Sequence, residues 1–454
     1  MHCRISHKLF LSDIPQPILD QVMAELTLDN PKWLENIKMG RSTYKVPRKL
    51  KFYSTRTNGG LILPRGYGQR LAQICQGLSQ RIVYDDQRRT LPEVDFHFQG
   101  TLRDYQESVC ARMLGRRFGT LCAPTGAGKT VCALYLIAQR QQPTLIIVHT
   151  RDLARQWAES IEQFLSIPIQ DIGMIGGGRD KIGECITVAT VQSVYSRSKI
   201  LKKHIGHLVV DECHRAPSRT FTTAVTAFDS AYSLGLSATP YRRDGLTQLI
   251  FWYLGEMHAK IKTETLMDSG AILRPKIHIV ETRFCTKRDQ SEEYSQIIAD
   301  LTEDEERNRL VVDTVASAVQ KNAGIALVLS DRKQHCLRLQ DMLLTHHGVC
   351  SQVFTGDLSW SERKSLVDNI HAGKVRIVFA TGQLIGEGFD AQNLTALFLV
   401  TPIKFEGRLT QYLGRVLRPA PGKVQPLVYD FADNEVGVLE AACQSRAMVY
   451  NKFA

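Results

Sequence analysis

The residues best suited to chemistry are Ala123, Pro124, Thr125, Gly126, Ala127, Gly128, Lys129 and Thr130, a glycine-rich turn that ends in Lys-Thr. They follow a β-rich run at 119–123 and open an apolar-periodic segment carrying Val131, Leu134 and Ile137, so a strand, a loop and a helix are expected in that order. Backbone N–H groups of such a loop wrap phosphates at the helix N-terminus, with the Lys129 ammonium reaching the β- and γ-phosphates and the Thr130 hydroxyl holding Mg²⁺. Further along, the apolar run Leu208-Val209-Val210 delivers Asp211 and Glu212 side by side at the C-terminal end of an expected strand, the edge at which open α/β sheets bind ligands. Asp211 then completes the Mg²⁺ shell, and Glu212 orients or deprotonates the attacking water. Phosphoryl transfer needs little beyond positioning and charge neutralisation. The two stretches together predict ATP and Mg²⁺ as cofactors.

The elements that must position these residues are legible as β-rich runs alternating with helix-period segments from about residue 101 onward, the signature of parallel sheets built from βαβ units. One set of runs lies at 119–123, 144–149, 186–190, 208–212 and 232–237, and a second at 325–330, 352–355, 375–381, 394–400 and 426–431. Residues 245–275, with Gly270 and Pro275, read as a connector between two α/β domains. Residues 1–98 read as a small mixed domain, with a strand near 3–11, a helix over 17–28, an Asn58-Gly59-Gly60 turn, a helix over 69–78 and a strand at 81–84. The expected architecture is therefore α/β: a basic N-terminal domain (1–98) and two tandem parallel-sheet domains (99–268 and 269–454).

The chain has 454 residues, 43% hydrophobic and 23% charged, which suits several sizeable cores and excludes wholesale disorder. No apolar run approaches the ~18 residues of a membrane span, and the charged N-terminus does not read as a signal peptide, so a cytoplasmic protein with no membrane partner is expected. None of the 11 cysteines forms a CxxC pair or sits at zinc-ligand spacing, and Cys122, Cys132 and Cys213 are expected as small buried hydrophobes. The net charge of +11 is concentrated. Between Pro31 and Arg70 stand ten basic residues and one acid, a local +9 that leaves +2 for the rest. Trp33, Tyr44, Phe52, Tyr53 and Tyr67 are interleaved with them. The mixture suits phosphate contact with base stacking, with Lys49, Lys51 and Arg65 as candidate contacts, or else a solvated basic face over a small aromatic core.

At this point the chain resembles superfamily 2 helicases and translocases over about 101–431, with motifs in the family's order. The resemblance implies two RecA-like domains, with ATP between them and a single nucleic-acid strand in the motor cleft. Ala123 in place of the first P-loop glycine is a familiar departure in such proteins. Leu102-Arg103-Asp104-Tyr105-Gln106 resembles the Q-type motif, in which Arg103 and Gln106 face the nucleotide and Gln106 reads adenine with its bidentate amide. His149-Thr150-Arg151 and Ala189-Thr190-Val191-Gln192 resemble motifs that touch the nucleic-acid backbone, implying contacts by Thr150, Arg151, Thr190 and Gln192. Thr355 and Thr381, each after an expected strand and before a glycine, are the corresponding phosphate contacts of the second domain. Gly386 and Asp390 belong to a stretch that resembles motif V on the nucleotide side. Gln411 to Arg418 resembles motif VI, which makes Arg415 and Arg418, three apart and sharing a helix face, the implied arginine fingers. Coupling of hydrolysis to domain movement falls by the same resemblance to His214, Ser237, Thr239 and Gln411.

The Asp-Glu-Cys-His box and the Gln-Tyr-Leu-Gly-Arg start of motif VI resemble the DNA-acting branch that contains XPB, the phage helicase UvsW and the helicase subunits of restriction systems. Arg242-Arg243-Asp244 stands where XPB carries Arg-Glu-Asp, lacking the middle acid. The stretch 58–67 resembles a pattern that precedes the motor in this branch and touches duplex or branched DNA. A nuclease signature beginning at His258 and Lys260 fails at Thr265, where an Asp is required. The expectation is an ATP-dependent helicase or translocase acting on duplex or branched DNA. The alternatives are an RNA helicase and an ATP-gated DNA-binding subunit that recruits a nuclease without unwinding; a nuclease or other complex partner is the expected protein partner.

Overall fold

The computed structural model describes the chain except for residues 58, 216–218, 240–244, 290–292, 323, 383–392, 404–405, 424 and 454 and the side chains of 219–221 and 360. Gly386 and Asp390, the Arg242-Arg243-Asp244 element and Asn58 of the expected turn therefore lie outside the described residues. The chain divides into two compact units, Met1–Ala123 with Gly128–Lys260, and Pro124–Ala127 with Ile261–Ala454.

The first unit is built on an eight-stranded sheet in the spatial order Arg179–Lys181, Gly173–Gly176, Ile186–Thr190, Thr144–Val148, His207–Val210, Tyr232–Ser237, Phe118–Cys122 and Met257–Lys260. All pairings are parallel except the edge hairpin formed by the first two. Its central strands are buried on both faces, with Leu145, Ile146, Ile147, Leu208, Val209 and Val210 all fully covered. That burial explains their unbroken apolar sequences. The expected connector is not a linker throughout. Helix Gln248–Leu254 packs into the first unit and Met257–Lys260 adds a strand beside Phe118–Cys122, so the break falls after Lys260 rather than at 268. An edge strand with alternating exposure, such as Met-His-Ala-Lys, carries no continuous apolar signal.

The second unit is a six-stranded, all-parallel sheet in the order Lys276–Glu281, Leu427–Ala432, Leu394–Leu399, Ile325–Ser330, Ile377–Thr381 and Gln352–Phe354. Helices Glu305–Lys321 and Lys333–His347 cover it with Val311, Val315, Leu339 and Leu343. Both sheets are RecA-like, as expected.

The N-terminal residues form a five-stranded mixed sheet in the order Ser54–Thr55, Leu61–Leu63, Leu9–Ser12, His2–Ile5 and Val83–Asp86. The strand expected over 3–11 is two strands paired antiparallel, and the helix expected over 17–28 ends at Glu25, followed by strand Thr27–Asp29. The core of this small basic module is continuous with the motor. Leu9, Leu11, Ile18, Leu61 and Tyr67 share one hydrophobic cluster with Leu249 and Trp252 of the motor. At Gly66 the two backbones meet: an added Cβ would fall 2.3 Å from the Phe251 carbonyl oxygen, which only glycine tolerates.

Arg65 corrects an expectation. Far from a nucleic-acid surface, it is 4% exposed, donates from Nη1 to the carbonyls of Phe228 (3.1 Å) and Ser230 (2.9 Å), and stacks on Phe118 with 4.3 Å to the ring centroid. Burial, helped by the nearby Arg88 charge, pulls its pKa down to about 9. Arg65 is a bolt between module and motor. Arg65→Ala would leave two buried carbonyls without donors, an expected loss of about 2–3 kcal/mol, or roughly 5–10 °C in the first unit's thermal transition. A melting curve matching wild type would show that the bolt contributes nothing.

Candidate functional site

The C-terminal edge of the first sheet carries the phosphate-binding constellation. After strand Phe118–Cys122 the chain turns through the P-loop into helix Lys129–Arg140, whose N-cap is Gly128 in the left-handed conformation (φ 76°). An added Cβ there would also fall 2.4 Å from Gln106 Nε2, so Gly128 is required by both conformation and space. The Gln106 amide oxygen accepts from the Arg103 N–H at 3.0 Å, seating this buried side chain against the loop at the start of helix Asp104–Leu114. Lys129 Nζ donates to the Ala123 carbonyl at 3.0 Å, closing the loop on itself.

Asp211 and Glu212 leave strand His207–Val210, one strand away from the P-loop strand across Tyr232–Ser237. Asp211 Oδ1 accepts from the Glu212 N–H (2.8 Å) and Oδ2 from the Trp157 indole N–H (2.9 Å). Burial, reinforced by the Glu212 charge, raises the Asp211 pKa to about 6. Glu212 occupies the left-handed region at φ 48°, a strained backbone for a non-glycine residue and of the kind found at active sites. Burial would raise its pKa, but Lys129, His214, Arg215 and His149 outweigh burial and hold it below the ordinary carboxylate range. Its Oε2 is buried without a hydrogen bond among the described residues, 3.2 Å from His214 Nδ1.

Ser237 joins the two halves of this site. Its carbonyl accepts from the Ala123 N–H at 2.9 Å, and its hydroxyl donates to the Thr239 carbonyl. With that proton committed, His214 Nδ1 donates to Ser237 Oγ at 3.0 Å. The four expected coupling residues thus divide: His214, Ser237 and Thr239 form one network, while Gln411 is buried in helix Glu406–Val416 of the second unit.

The same sheet edge carries the residues expected to contact a nucleic-acid backbone. Thr150 caps helix Arg151–Leu165, accepting from the Leu153 N–H at 3.2 Å, and Thr190, on the adjacent strand, pairs its hydroxyl with Ser193 at 2.9 Å. Gln192 is exposed at the second position of helix Val191–Leu201. Arg151 is exposed and lies against Gly177, in a Gly176-Gly177-Gly178 turn after the neighbouring strand. That triplet was visible in the sequence but matched no expectation.

In the second unit, Thr381 lines a cleft of about 770 Å³ together with Gly356, Gly382, Arg332, Lys333, Arg363 and Arg408. Thr355 is buried at the end of the neighbouring strand. The four basic side chains were missed by sequence reasoning, although Arg332 and Lys333 follow strand Ile325–Ser330 after Asp331 alone. Arg408 lies 3.5 Å from Asp331, and Arg363 donates to the Gly356 carbonyl at 2.9 Å. Arg415 sits half-buried in the last turn of Glu406–Val416. Arg418 does not share its helix face, because the helix ends at Val416. The carbonyls of Val416 and Arg418 are instead held by Lys423 Nζ at 2.6 and 2.7 Å.

The donor set fits the groups it implies. Gly128 cradles space that a side chain would fill, and one hydroxyl (Thr130) with one carboxylate (Asp211) suits Mg²⁺, which binds hard oxygen ligands and fills its remaining positions with water and phosphate oxygens.

A parallel sheet with a P-loop and an Asp-Glu pair on one edge, followed by a second such sheet with a basic edge, defines the tandem RecA-like motor class. Residues 99–242 match the family model for the type III restriction enzyme res subunit, and residues 287–420 match the helicase conserved C-terminal domain. The DNA 3'-5' translocase XPB2 of Sulfurisphaera tokodaii is 28% identical over 357 residues, which cover 70% of this chain and 78% of that protein. The ATP-dependent DNA helicase uvsW of Enterobacteria phage T4 is 24% identical over 403 residues, covering 82% and 80%. A fragment of a putative HsdR subunit of a type I restriction enzyme from Vibrio vulnificus shares the fold, with a TM-score of 0.59 at 16% identity over 96% of this chain and 81% of that one. The chain belongs to superfamily 2 of the helicases and translocases, in the branch of XPB and UvsW. Among the described residues no helix is long and apolar enough to cross a membrane.

Proposed function

We propose that this protein is an ATP- and Mg²⁺-dependent DNA translocase or helicase that moves along one strand and remodels duplex or branched DNA. The observation that carries the reading is the shared edge of the first sheet, where the P-loop and Asp211-Glu212 lie on the same rim as Thr150, Arg151 and Thr190. Thr130 and Asp211 would hold Mg²⁺, which when bound would supply charge neutralisation to the phosphates. Lys129 adds positive charge there, Glu212 takes the proton of the attacking water, and Arg103 and Gln106 hold the base. Arg415 and Arg418 serve as arginine fingers. Hydroxyls and basic groups around Thr355 and Thr381 grip the strand alternately with the first-sheet edge.

The substrate-selecting contact is narrower than the basic window of residues 31–70. Arg65 is buried, Tyr67 and Arg70 bond to Glu25, Phe52 packs on Trp252, and Lys49 pairs with Asp29 at 2.9 Å. What faces solvent is the excursion around helix Pro31–Lys38, which buries none of its residues. Its neighbourhood exposes Leu34, Ile37, Met39 and Tyr44 among Lys32, Lys38, Arg41, Lys45 and Lys51. Apolar and aromatic groups ringed by cations suit a nucleic-acid surface with unstacked bases. Replacing those five cations by Gln should flatten the log K versus log[salt] slope for duplex DNA by about four. An unchanged slope would remove this surface from DNA binding.

The deciding experiment measures ATPase stimulation by forked, duplex and single-stranded DNA and by RNA, with strand displacement alongside. DNA-stimulated hydrolysis with displacement supports the proposal. Preferential stimulation by RNA would make the protein an RNA helicase, and hydrolysis without displacement or translocation would make it an ATP-gated clamp.

A further inference from the structure

Helix Arg151–Leu165 does two things that lie far apart in function. Its N-terminus presents Thr150 and Arg151 at the sheet edge, and two turns in, Trp157 reaches Asp211. Among the described residues Trp157 is the largest fully buried side chain, 2% exposed, and its single polar atom is spent on the Asp211 carboxylate at 2.9 Å. The strand that feeds this helix, Thr144–Val148, holds the same residue through the backbone: the Asp211 N–H donates to the Ile147 carbonyl at 2.9 Å. One strand, loop and helix therefore fix Asp211 at both its main chain and its carboxylate. Each carboxylate oxygen accepts one N–H, from Trp157 or Glu212, and keeps a lone pair for a further partner.

We infer that Trp157 is a positioning residue that holds the Mg²⁺-binding carboxylate of Asp211 and ties it to the helix whose N-terminus contacts the nucleic-acid backbone. This rests on the function proposed above. The physical reason is rigidity. Trp157 lies about 9 Å along a hydrogen-bonded helix from Arg151, and a closely packed helix moves as a body rather than bending over such a length. Strain applied by a strand gripped at Thr150 and Arg151 therefore reaches the indole, and from the indole a carboxylate with little room to rotate. Such outer partners of metal ligands matter by about 10–100-fold in metal affinity or activity. A buried Phe would satisfy packing in this cluster. The indole N–H satisfies one oxygen of a buried carboxylate and, in doing so, fixes the orientation of that carboxylate.

The test uses the full chain with Trp157→Phe, which keeps an aromatic ring and removes the N–H. A second variant carries benzothienylalanine at position 157, which keeps the bicyclic shape and covers the case in which Phe does not fold. ATP turnover is titrated with Mg²⁺, with and without forked DNA, and melting temperature and Mg²⁺-free nucleotide binding are measured alongside. The expected result is a Mg²⁺ midpoint raised about 10-fold or more, with the ratio of stimulated to unstimulated turnover falling toward one. Mg²⁺-free nucleotide binding should stay close to wild type in the isosteric variant, and its melting temperature should fall by no more than the few degrees that one lost buried hydrogen bond costs. A wild-type midpoint and stimulation ratio in a folded variant would overturn the inference, as would losses that track a lowered melting temperature in both variants. If the wild-type chain itself shows no nucleic-acid-stimulated ATP hydrolysis, the proposed function fails instead, so the two failures are distinguishable.

Discussion

Arg415→Ala is expected to lower nucleic-acid-stimulated ATP hydrolysis by about 10³–10⁵-fold, the range an arginine finger supplies, with nucleotide binding largely retained. Arg415 occupies the final turn of helix Glu406–Val416, where Leu409, Tyr412 and Leu413 are buried in the second unit and hold the helix in place. A guanidinium offers a planar fork of donors to developing charge on phosphate oxygens, which an ammonium does not reproduce, so Arg415→Lys should rescue little. Arg418→Ala is a separate experiment, because Arg418 lies beyond the helix end, on a segment pinned by Lys423. Single-turnover hydrolysis and fluorescent-nucleotide binding check the prediction. Stimulated turnover at the wild-type rate in Arg415→Ala would remove the finger assignment.

Glu212→Gln should bind ATP and hydrolyse it about 10²–10⁴-fold more slowly, the usual contribution of a positioned general base. The substitution is nearly isosteric, and it leaves the Asp211 contacts to Trp157 and to the position-212 N–H in place. What it removes is the charge. In the native site that charge persists despite burial because Lys129, His214, Arg215 and His149 surround it, and Oε2 has no hydrogen bond to give up among the described residues. An amide there can orient a water but cannot take its proton. Trapping of bound ATP on the variant, with DNA affinity kept, is the expected readout. Ordinary stimulated hydrolysis would show that Glu212 is not the base.

Much of this site could be read in the residues themselves, for a physical reason. Parallel strands buried on both faces must be apolar along their whole length, so Thr144–Val148, Ile186–Thr190 and His207–Val210 stand out against the helices between them. Functional loops follow at the C-terminal ends of such strands, which is why Lys129, Asp211, Glu212, Thr150 and Thr190 share one edge. Local signals failed where a strand is short, half-exposed and at an edge, as at Met257–Lys260. They failed again where a helix end decides a geometry, as between Arg415 and Arg418.

Residue type and order alone thus determined the tandem RecA-like fold and a local excess of positive charge. They could not say which of those charges meet solvent, because charge is counted along a chain while burial depends on what packs against it. Arg65 and Lys51 are equivalent in the count, yet one is bolted under Phe228 and Ser230 and the other is exposed. Nor could they pair Trp157 with Asp211, 54 residues apart and joined by a single hydrogen bond. Contacts of that kind leave no periodicity in the sequence. They exist only once the sheet has brought a strand end and a helix flank to within 3 Å of each other.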